Sequence, residues 1–352
     1  MKSIKTAGSI KKFNLTHNIK TKKRIFHTKG MKRYTITNRD ISLTVTDYGA
    51  TILSLKYKGK EMTLGYDDID EYKKQDGYLG ATIGRFANRI ANGSFTLNGV
   101  KYDLYENFGN SSLHGGKVGF NSVIWDVKAK DNIVTAVYYS KDMEEGYPGN
   151  LRVQVDFCVN TDGIELSYIA QSDKDTVINL TNHTYFNLSE GKESVENHYL
   201  TLNADYYNPI DNEYIPTGEI RNVENTPFDF RKAKRIGERI NDTDEQLRFA
   251  GGYDHNFVIN GNGFRKFAEV YSETSGITMT CYSDMPALQF YSGNLLTDRK
   301  GRNGQSIKWR EGLCLETQFF PNSVNEPNFP LFVLKAGKKF QSKTEYRFAM
   351  VR

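Results

Sequence analysis

The feature that most constrains this chain is a repeated two-residue alternation of apolar and polar side chains. Ile41, Leu43 and Val45 alternate with polar partners, and Leu53, Leu55 and Tyr57 follow the same rule. Successive side chains on a strand point to opposite faces, so this period marks strands with one buried face. Phe95 and Leu97 run into Asn98-Gly99, and Val100, Tyr102 and Leu104 run out. Asn-Gly between alternating runs predicts a tight hairpin, because both turn residues accept positive φ. A second hairpin is as clear: Leu151, Val153, Val155, Phe157 and Val159 lead into 160–163 (NTDG), and Ile164, Leu166, Tyr168 and Ala170 lead out. Ile277-Met279-Cys281 and Tyr346-Phe348-Met350 repeat the pattern near the C-terminus.

Helical periodicity is scarce. The best candidate lies around Phe230–Phe249, where charged residues surround Ile236, Ile240 and Leu247, and it would be short. No strand–helix alternation, internal repeat or Pro- or Gly/Ser-rich linker divides the chain. The 22 Tyr and 21 Phe also suit pleated, half-buried surfaces. The expected architecture is all-β: one large antiparallel β-sandwich with few short helices, filling residues 31–352 as a single domain.

Residues 1–30 are set apart from that domain by charge. They hold nine Lys/Arg and no Asp or Glu, so the net +5 of the whole chain becomes 38 basic against 42 acidic residues from Met31 onward. This segment reads as a basic, disordered extension, and the mildly acidic remainder does not suit a nucleic-acid partner. Three cysteines, Cys158, Cys281 and Cys314, have no paired spacing and read as free thiols. No run approaches the roughly 18 apolar residues of a membrane span, and the N-terminus lacks a secretory apolar stretch. A reducing, cytoplasmic setting away from membranes fits best.

Five segments interrupt the alternation with dense polar residues: 84–90 (GRFANRI), 112–116 (SLHGG), 179–188 (NLTNHTYFNL), 253–256 (YDHN), and 286–294 (PALQFYSGN) paired with 314–321 (CLETQFFP). Singly, each has an ordinary explanation. Arg89 could be a structural ion-pair partner, His114 a loop residue, His183 part of a hydrogen-bond network, Asp254 a turn former, and Glu316 a solvent-facing strand residue. Together they supply a carboxylate, two histidines, an arginine, an aspartate and amides beside Tyr185, Phe290 and Tyr291. Sugars need that mixture, since hydroxyls require fixed donors and acceptors while the ring faces prefer aromatics. Metal, serine-nucleophile and nucleotide motifs are all missing from the sequence: there is no His-Glu-x-x-His, no Gly-x-Ser-x-Gly and no Walker loop.

The ordered set GRFANRIANG (84–93), SLHGG (112–116), NLTNHTYFNL (179–188), DH (254–255), ALQFYSGN (287–294) and LETQFFPNSVN (315–325) closely resembles the aldose 1-epimerases, the galactose mutarotase family. The resemblance runs from about Lys32 to the C-terminus. It implies a mutarotase-type β-supersandwich and an enzyme that interconverts the α and β anomers of free hexoses such as galactose and glucose. It further implies that Glu316 is the general base and His183 the general acid. Asn88, Arg89 (rather than Arg85), His114, Asp254 and Gln289 would contact the sugar, and Tyr185 would line the pocket. No cofactor or metal is implied, and the partner is a small-molecule sugar, bound by a monomer or homodimer.

Anomer interconversion opens the hemiacetal, rotates about C1–C2 and recloses on the other face. A carboxylate and an imidazole on opposite sides of the bond can exchange the two protons involved. A histidine near its ordinary pKa would suit the role at neutral pH. A sugar-phosphate epimerase of related fold ranks second, because the segments offer chiefly Arg89 for a phosphate. A non-catalytic carbohydrate-binding protein ranks third.

Overall fold

The computed structural model describes residues 24–27, 30–74 and 77–351. Strands dominate and nearly all pair antiparallel, as the alternation predicts. Lys32–Asn38, Ile41–Thr46, Thr51–Tyr57 and Lys60–Glu61 form a meander, with Arg24–His27 paired to its outer edge. That outer strand falls within the charged extension, the rest of which lies outside the described residues apart from Gly30.

The largest sheet has nine strands. Asp126–Lys130, Ile133–Ser140, Leu151–Val159 and Gly163–Ser172 run in sequence, then Lys339–Met350, Ile277–Ser283, Arg265–Ser272, Tyr199–Leu202 and Lys234–Arg235 complete it. Leu151–Val159 alternates between buried and half-buried at every residue. Its inner face, Val153, Val155 and Phe157, is fully buried in one core with Leu43 and Val45 of the meander. Burying side chains of this size stabilises by about 1.5–3 kcal/mol each, which fixes the register because a one-residue slip would expose them all.

Both predicted hairpins are present. Leu97 pairs with Val100 across Asn98 (φ 51°) and Gly99 (φ 79°), a turn with both residues left-handed. Val159 pairs with Ile164, and Asn160 N–H donates to the Gly163 carbonyl at 2.8 Å. The helical reading over Phe230–Phe249 narrows to a 3-10 turn, Ile236–Glu238, and one α-helix, Glu245–Ala250. Asp244 caps that helix by accepting from Gln246 N–H, and Gly251 ends it in the left-handed conformation at φ 66°, so the helix is confined to six residues.

A third sheet, of five strands, carries the polar segments in the order Arg221–Asn222, Tyr206–Tyr207, Asp254–Val258, Ala287–Tyr291 and Cys314–Gln318. Its three inner-site strands are buried along nearly their whole length, on both faces. The rear face, with Phe257, Leu288, Phe290 and Leu315, joins the main core. There Tyr346 Oη donates to the Leu315 carbonyl at 3.1 Å, tying the sheet to the C-terminal strand. The front face is free to carry chemistry.

Two histidines are structural. His198 Nε2 accepts Leu188 N–H at 2.9 Å, and His255 Nδ1 accepts Asp254 N–H at 3.1 Å. Both are fully buried, and burial lowers their pKa from 6.5 to about 4 and about 3. The unfolded chain therefore binds more protons below pH 6.5, and each histidine costs stability as pH falls. Between pH 6.5 and 5 the loss is about 2 kcal/mol apiece, at about 1.4 kcal/mol per pH unit. His198→Gln and His255→Asn keep an acceptor at the bonded position. Denaturant titrations should find each variant less stable than wild type at pH 7, with the gap narrowing by roughly that amount at pH 5. A gap independent of pH would mean that the histidines are not held neutral.

Candidate active site

The site follows from strand register. Directly paired residues share a face, so the three central strands present a grid. Asp254 pairs with Tyr291 and Tyr291 with Cys314; Asn256 pairs with Gln289 and Gln289 with Glu316; Val258 pairs with Ala287 and Ala287 with Gln318. The period of two thus puts Cys314, Glu316 and Gln318 on the front of one strand. Glu316 is not solvent-facing: it is 2% exposed, on the floor of a cavity that covers that face.

The cavity, of about 240 Å³, is lined by all eight residues singled out from the sequence: Asn88, Arg89, His114, His183, Tyr185, Asp254, Gln289 and Glu316. Arg85 is absent from it. Its guanidinium is spent on Ser140 Oγ at 2.8 Å and on the carbonyls of Pro148 and Lys141.

Loops bring the remaining groups over the sheet. Asn88 (φ 64°) and His114 (φ 53°) both take left-handed backbone. They clip together: His114 N–H donates to the Asn88 carbonyl at 3.0 Å, and Asn88 N–H donates to His114 Nδ1 at 3.1 Å. Gly115 is required beside them, since φ is 94° and a Cβ would run into the Gly84 carbonyl. In 179–188 the amides replace a regular ladder. Asn179 Nδ2 donates to the carbonyls of Ala87 and Phe319, and Asn182 Nδ2 to that of Gly80. His183 is held on both sides, its N–H on the Ala81 carbonyl and its carbonyl accepting from Gly80 N–H, each at 2.9 Å.

At the floor, His183 Nε2 lies 3.6 Å from Glu316 Oε1, too far for a hydrogen bond. Glu316 Oε2 is buried without a partner. Burial, then the nearby Asp254 charge, pushes the Glu316 carboxyl well above its usual range, against the pull of Arg89. Burial lowers His183 to about 4, opposed by a hydrogen bond with its own backbone. The sequence-based expectation of an ordinary histidine is thereby corrected: enclosure by Tyr78, Tyr185, Tyr291 and His114 removes the water that would solvate an imidazolium.

Asp254 is held by the amides behind it. Gln289 Nε2 donates to Asp254 Oδ1 at 2.7 Å, and Gln318 Nε2 donates to Asn256 Oδ1 at 2.9 Å and to Gln289 Oε1 at 3.4 Å. That chain fixes which end of Gln289 faces the aspartate. On the other side, Arg89 comes within 4.0 Å of Asp254 Oδ2, and its guanidinium lies against the rings of Phe108 and Tyr214, at 4.6 and 4.8 Å, which themselves meet edge to face. Arg89 Nε has no hydrogen-bond partner among the described residues.

The nitrogens of His114 and His183 and a Glu316 oxygen lie within 4.8 Å of one another, a spacing a metal could use. The hydrogen bonding opposes it. His114 Nδ1 accepts the Asn88 N–H, so the ring hydrogen sits on Nε2, and an Nε2–H points a donor into the cavity where a metal would need a lone pair. A donor there suits a hydroxyl.

Sequence reasoning missed Tyr78, whose ring lies 4.7 Å from His114 and 5.8 Å from His183, and it missed Phe108, Tyr214 and the contact of Cys314 with His183. Only Cys314 had a signal, its two-residue spacing from Glu316. Tyr78, Phe108 and Tyr214 sit in loops with no local mark of their destination.

A β-sandwich whose front sheet floors a small cavity with opposed acid–base groups, unpartnered polar atoms and aromatic walls is the class of fold that takes a small polyhydroxylated ligand. The chain belongs to the aldose 1-epimerase family, whose model matches residues 32–347. It is 38% identical to galactose mutarotase of Bos taurus over 328 residues, 91% of this chain and 94% of that one. It is 39% identical to aldose 1-epimerase of Haemophilus influenzae over 312 residues, covering 86% and 91%. Among solved structures, the GalM/aldose epimerase homologue from C. elegans superposes with a TM-score of 0.86 at 31% identity, covering 92% of this chain and all of the other. Galactose 1-epimerase from Lactobacillus acidophilus gives 0.84 at 30%, covering 95% and 99%.

Proposed function

We propose that this chain is a mutarotase that interconverts the α and β anomers of free aldohexoses such as galactose and glucose, with Glu316 as base and His183 as acid. The observation that carries the reading is the facing pair itself, carboxylate and imidazole 3.6 Å apart on a buried floor. Asn88, Arg89, His114, Asp254, Gln289 and Tyr185 hold the sugar around it.

The pair works with one shared proton. In ring opening Glu316 takes the C1 hydroxyl proton while His183 Nε2 gives one to the ring oxygen. The pair passes from carboxylate and imidazolium to carboxyl and neutral imidazole, with no change in total charge. The raised carboxyl and lowered imidazole favour the second distribution, so the empty site does not bury two separated charges. Sugar hydroxyls, His114 Nε2–H and Arg89 offset that preference when substrate fills the cavity. After rotation about C1–C2, both transfers reverse. Each positioned transfer contributes about 10²–10⁴-fold.

Polarimetry on freshly dissolved α-D-galactose and α-D-glucose tests the proposal, and a wild-type protein that fails to speed the approach to equilibrium rotation would overturn it. A response confined to a phosphorylated hexose would favour the sugar-phosphate reading. Against that reading, Arg89 is the single cationic side chain among the described residues lining the cavity. The pH dependence follows from the shared proton. kcat/KM should fall below about pH 4, where the pair gains a second proton, and again on the alkaline side, above the usual carboxylate range, where it loses the last. A profile with its acid limb near pH 6.5 would contradict a buried, low-pKa His183.

The reading extends to one catalytic domain over 31–352, to a monomer or homodimer and to the cytoplasm. The cytoplasmic placement is supported by three free cysteines, two of them buried and Cys158 half-buried. No helix among the described residues is long and apolar enough to cross a membrane.

A further inference from the structure

The two ring nitrogens of His183 have different neighbours. Nε2 faces Glu316, whereas Nδ1 lies 3.4 Å from Sγ of Cys314, a contact buried on both sides. Cys314 and Glu316 stand on the same face of one strand, two residues apart, so a single rigid element sets the neighbours of both nitrogens.

An imidazole that gives a proton from Nε2 and later takes it back must keep its other hydrogen on Nδ1 throughout. If that hydrogen moved to Nε2, the nitrogen facing the sugar could no longer take back the ring-oxygen proton. Catalytic histidines are usually held in one tautomer by a carboxylate or a carbonyl. A carboxylate at Nδ1 would stabilise the imidazolium and weaken it as an acid. Sulfur is a weak, neutral acceptor, and burial together with the Glu316 and Asp254 carboxyls keeps this thiol from ionising. It can orient the ring without adding a charge.

We propose that Cys314 is a positioning residue whose sulfur accepts the Nδ1–H of His183, fixing the ring in the tautomer that leaves Nε2 to exchange its proton with the sugar. This rests on His183 being the acid, and the test separates the two claims. In wild-type protein with 15N-labelled histidine, the His183 signal (assigned by its loss in His183→Asn) should show a pyrrole-type Nδ1 and a pyridine-type Nε2 at neutral pH. Cys314→Ala should lower kcat about 10–100-fold, the scale of losing a partner that orients an active-site histidine, with KM changed by less than about twofold. Cys314→Ser, which restores an acceptor, should recover most of kcat.

A wild-type Nε2–H tautomer would overturn the proposal. So would a Cys314→Ala enzyme with unchanged kcat and pH profile, or one impaired equally in kcat and KM that Ser does not rescue. The profile must be read with Glu316, His114, Tyr78, Tyr185 and Tyr291 in view, since all face the same ring. Absence of mutarotase activity in wild type would overturn the functional reading, while the nitrogen shifts would still decide the Cys314–His183 bond.

Discussion

Glu316→Gln should lower the rate of anomer interconversion by about 10²–10⁴-fold and leave the fold intact or slightly more stable. The amide keeps the shape of the side chain, and its oxygen can still accept a hydroxyl hydrogen, so sugar binding should change little. It cannot accept a proton. The stability arises from the same burial. Glu316 is 2% exposed, near Asp254, with one oxygen lacking any partner, and a neutral amide removes the cost of enclosing an ionisable group there. Losing activity without losing stability marks a site built for chemistry and not for packing. His183→Asn should fall by a similar factor. In the proposed mechanism the two groups pass one proton between them through the sugar, so the double variant should be little worse than either single one. Polarimetric rates and thermal unfolding of the three variants decide this. Either single variant at the wild-type rate would remove that residue from the mechanism, and fully additive losses would mean that the groups act independently.

The strands were legible because their period of two is set by one buried face, which every residue of Leu151–Val159 records. The same logic fails for Cys314–Gln318. Alternation of Leu315 and Thr317 with Cys314, Glu316 and Gln318 shows that two faces exist. It cannot show that the polar face lies under a cavity and is as buried as the core. That depends on loops arriving from residues far away in sequence. Tyr78 and Phe108 reach the cavity from two separate connections and Tyr214 reaches Arg89 from a third, and nothing in their neighbours distinguishes them from the many other tyrosines and phenylalanines. Charged-group behaviour was hidden for the same reason: the lowered pKa of His183 is a property of the rings packed around it, which no local motif contains. His114 was legible as a polar residue before two glycines. Its fixed donor role was not, since that follows from the backbone N–H of Asn88 meeting Nδ1.

Arg89→Leu should reduce kcat/KM by about 10²–10³-fold, and Arg89→Lys should recover only part of it. Truncating one partner of a buried charge pair costs about 2–5 kcal/mol, and each 1.4 kcal/mol is about tenfold. Three observations place Arg89 at that level. Its side chain is 6% exposed, it stands 4.0 Å from Asp254, and its Nε is buried with no acceptor among the described residues, a position a sugar hydroxyl would fill. Its charge also acts at a distance, holding down the pKa of both Asp254 and Glu316. Without it Asp254 should take up a proton more readily and accept fewer hydrogen bonds from the sugar, and Glu316 should release its last proton at higher pH. The alkaline limb of the kcat/KM profile should therefore move upward in Arg89→Leu and stay in place in Arg89→Lys, which keeps the charge. Lysine cannot reproduce the planar guanidinium lying against Phe108 and Tyr214, so its KM should remain raised although its profile is normal. That split separates the two contributions of one side chain: charge sets the limb, stacking sets the affinity. If Arg89→Leu kept both kcat/KM and the position of its alkaline limb, the arginine would be a wall of the cavity and nothing more.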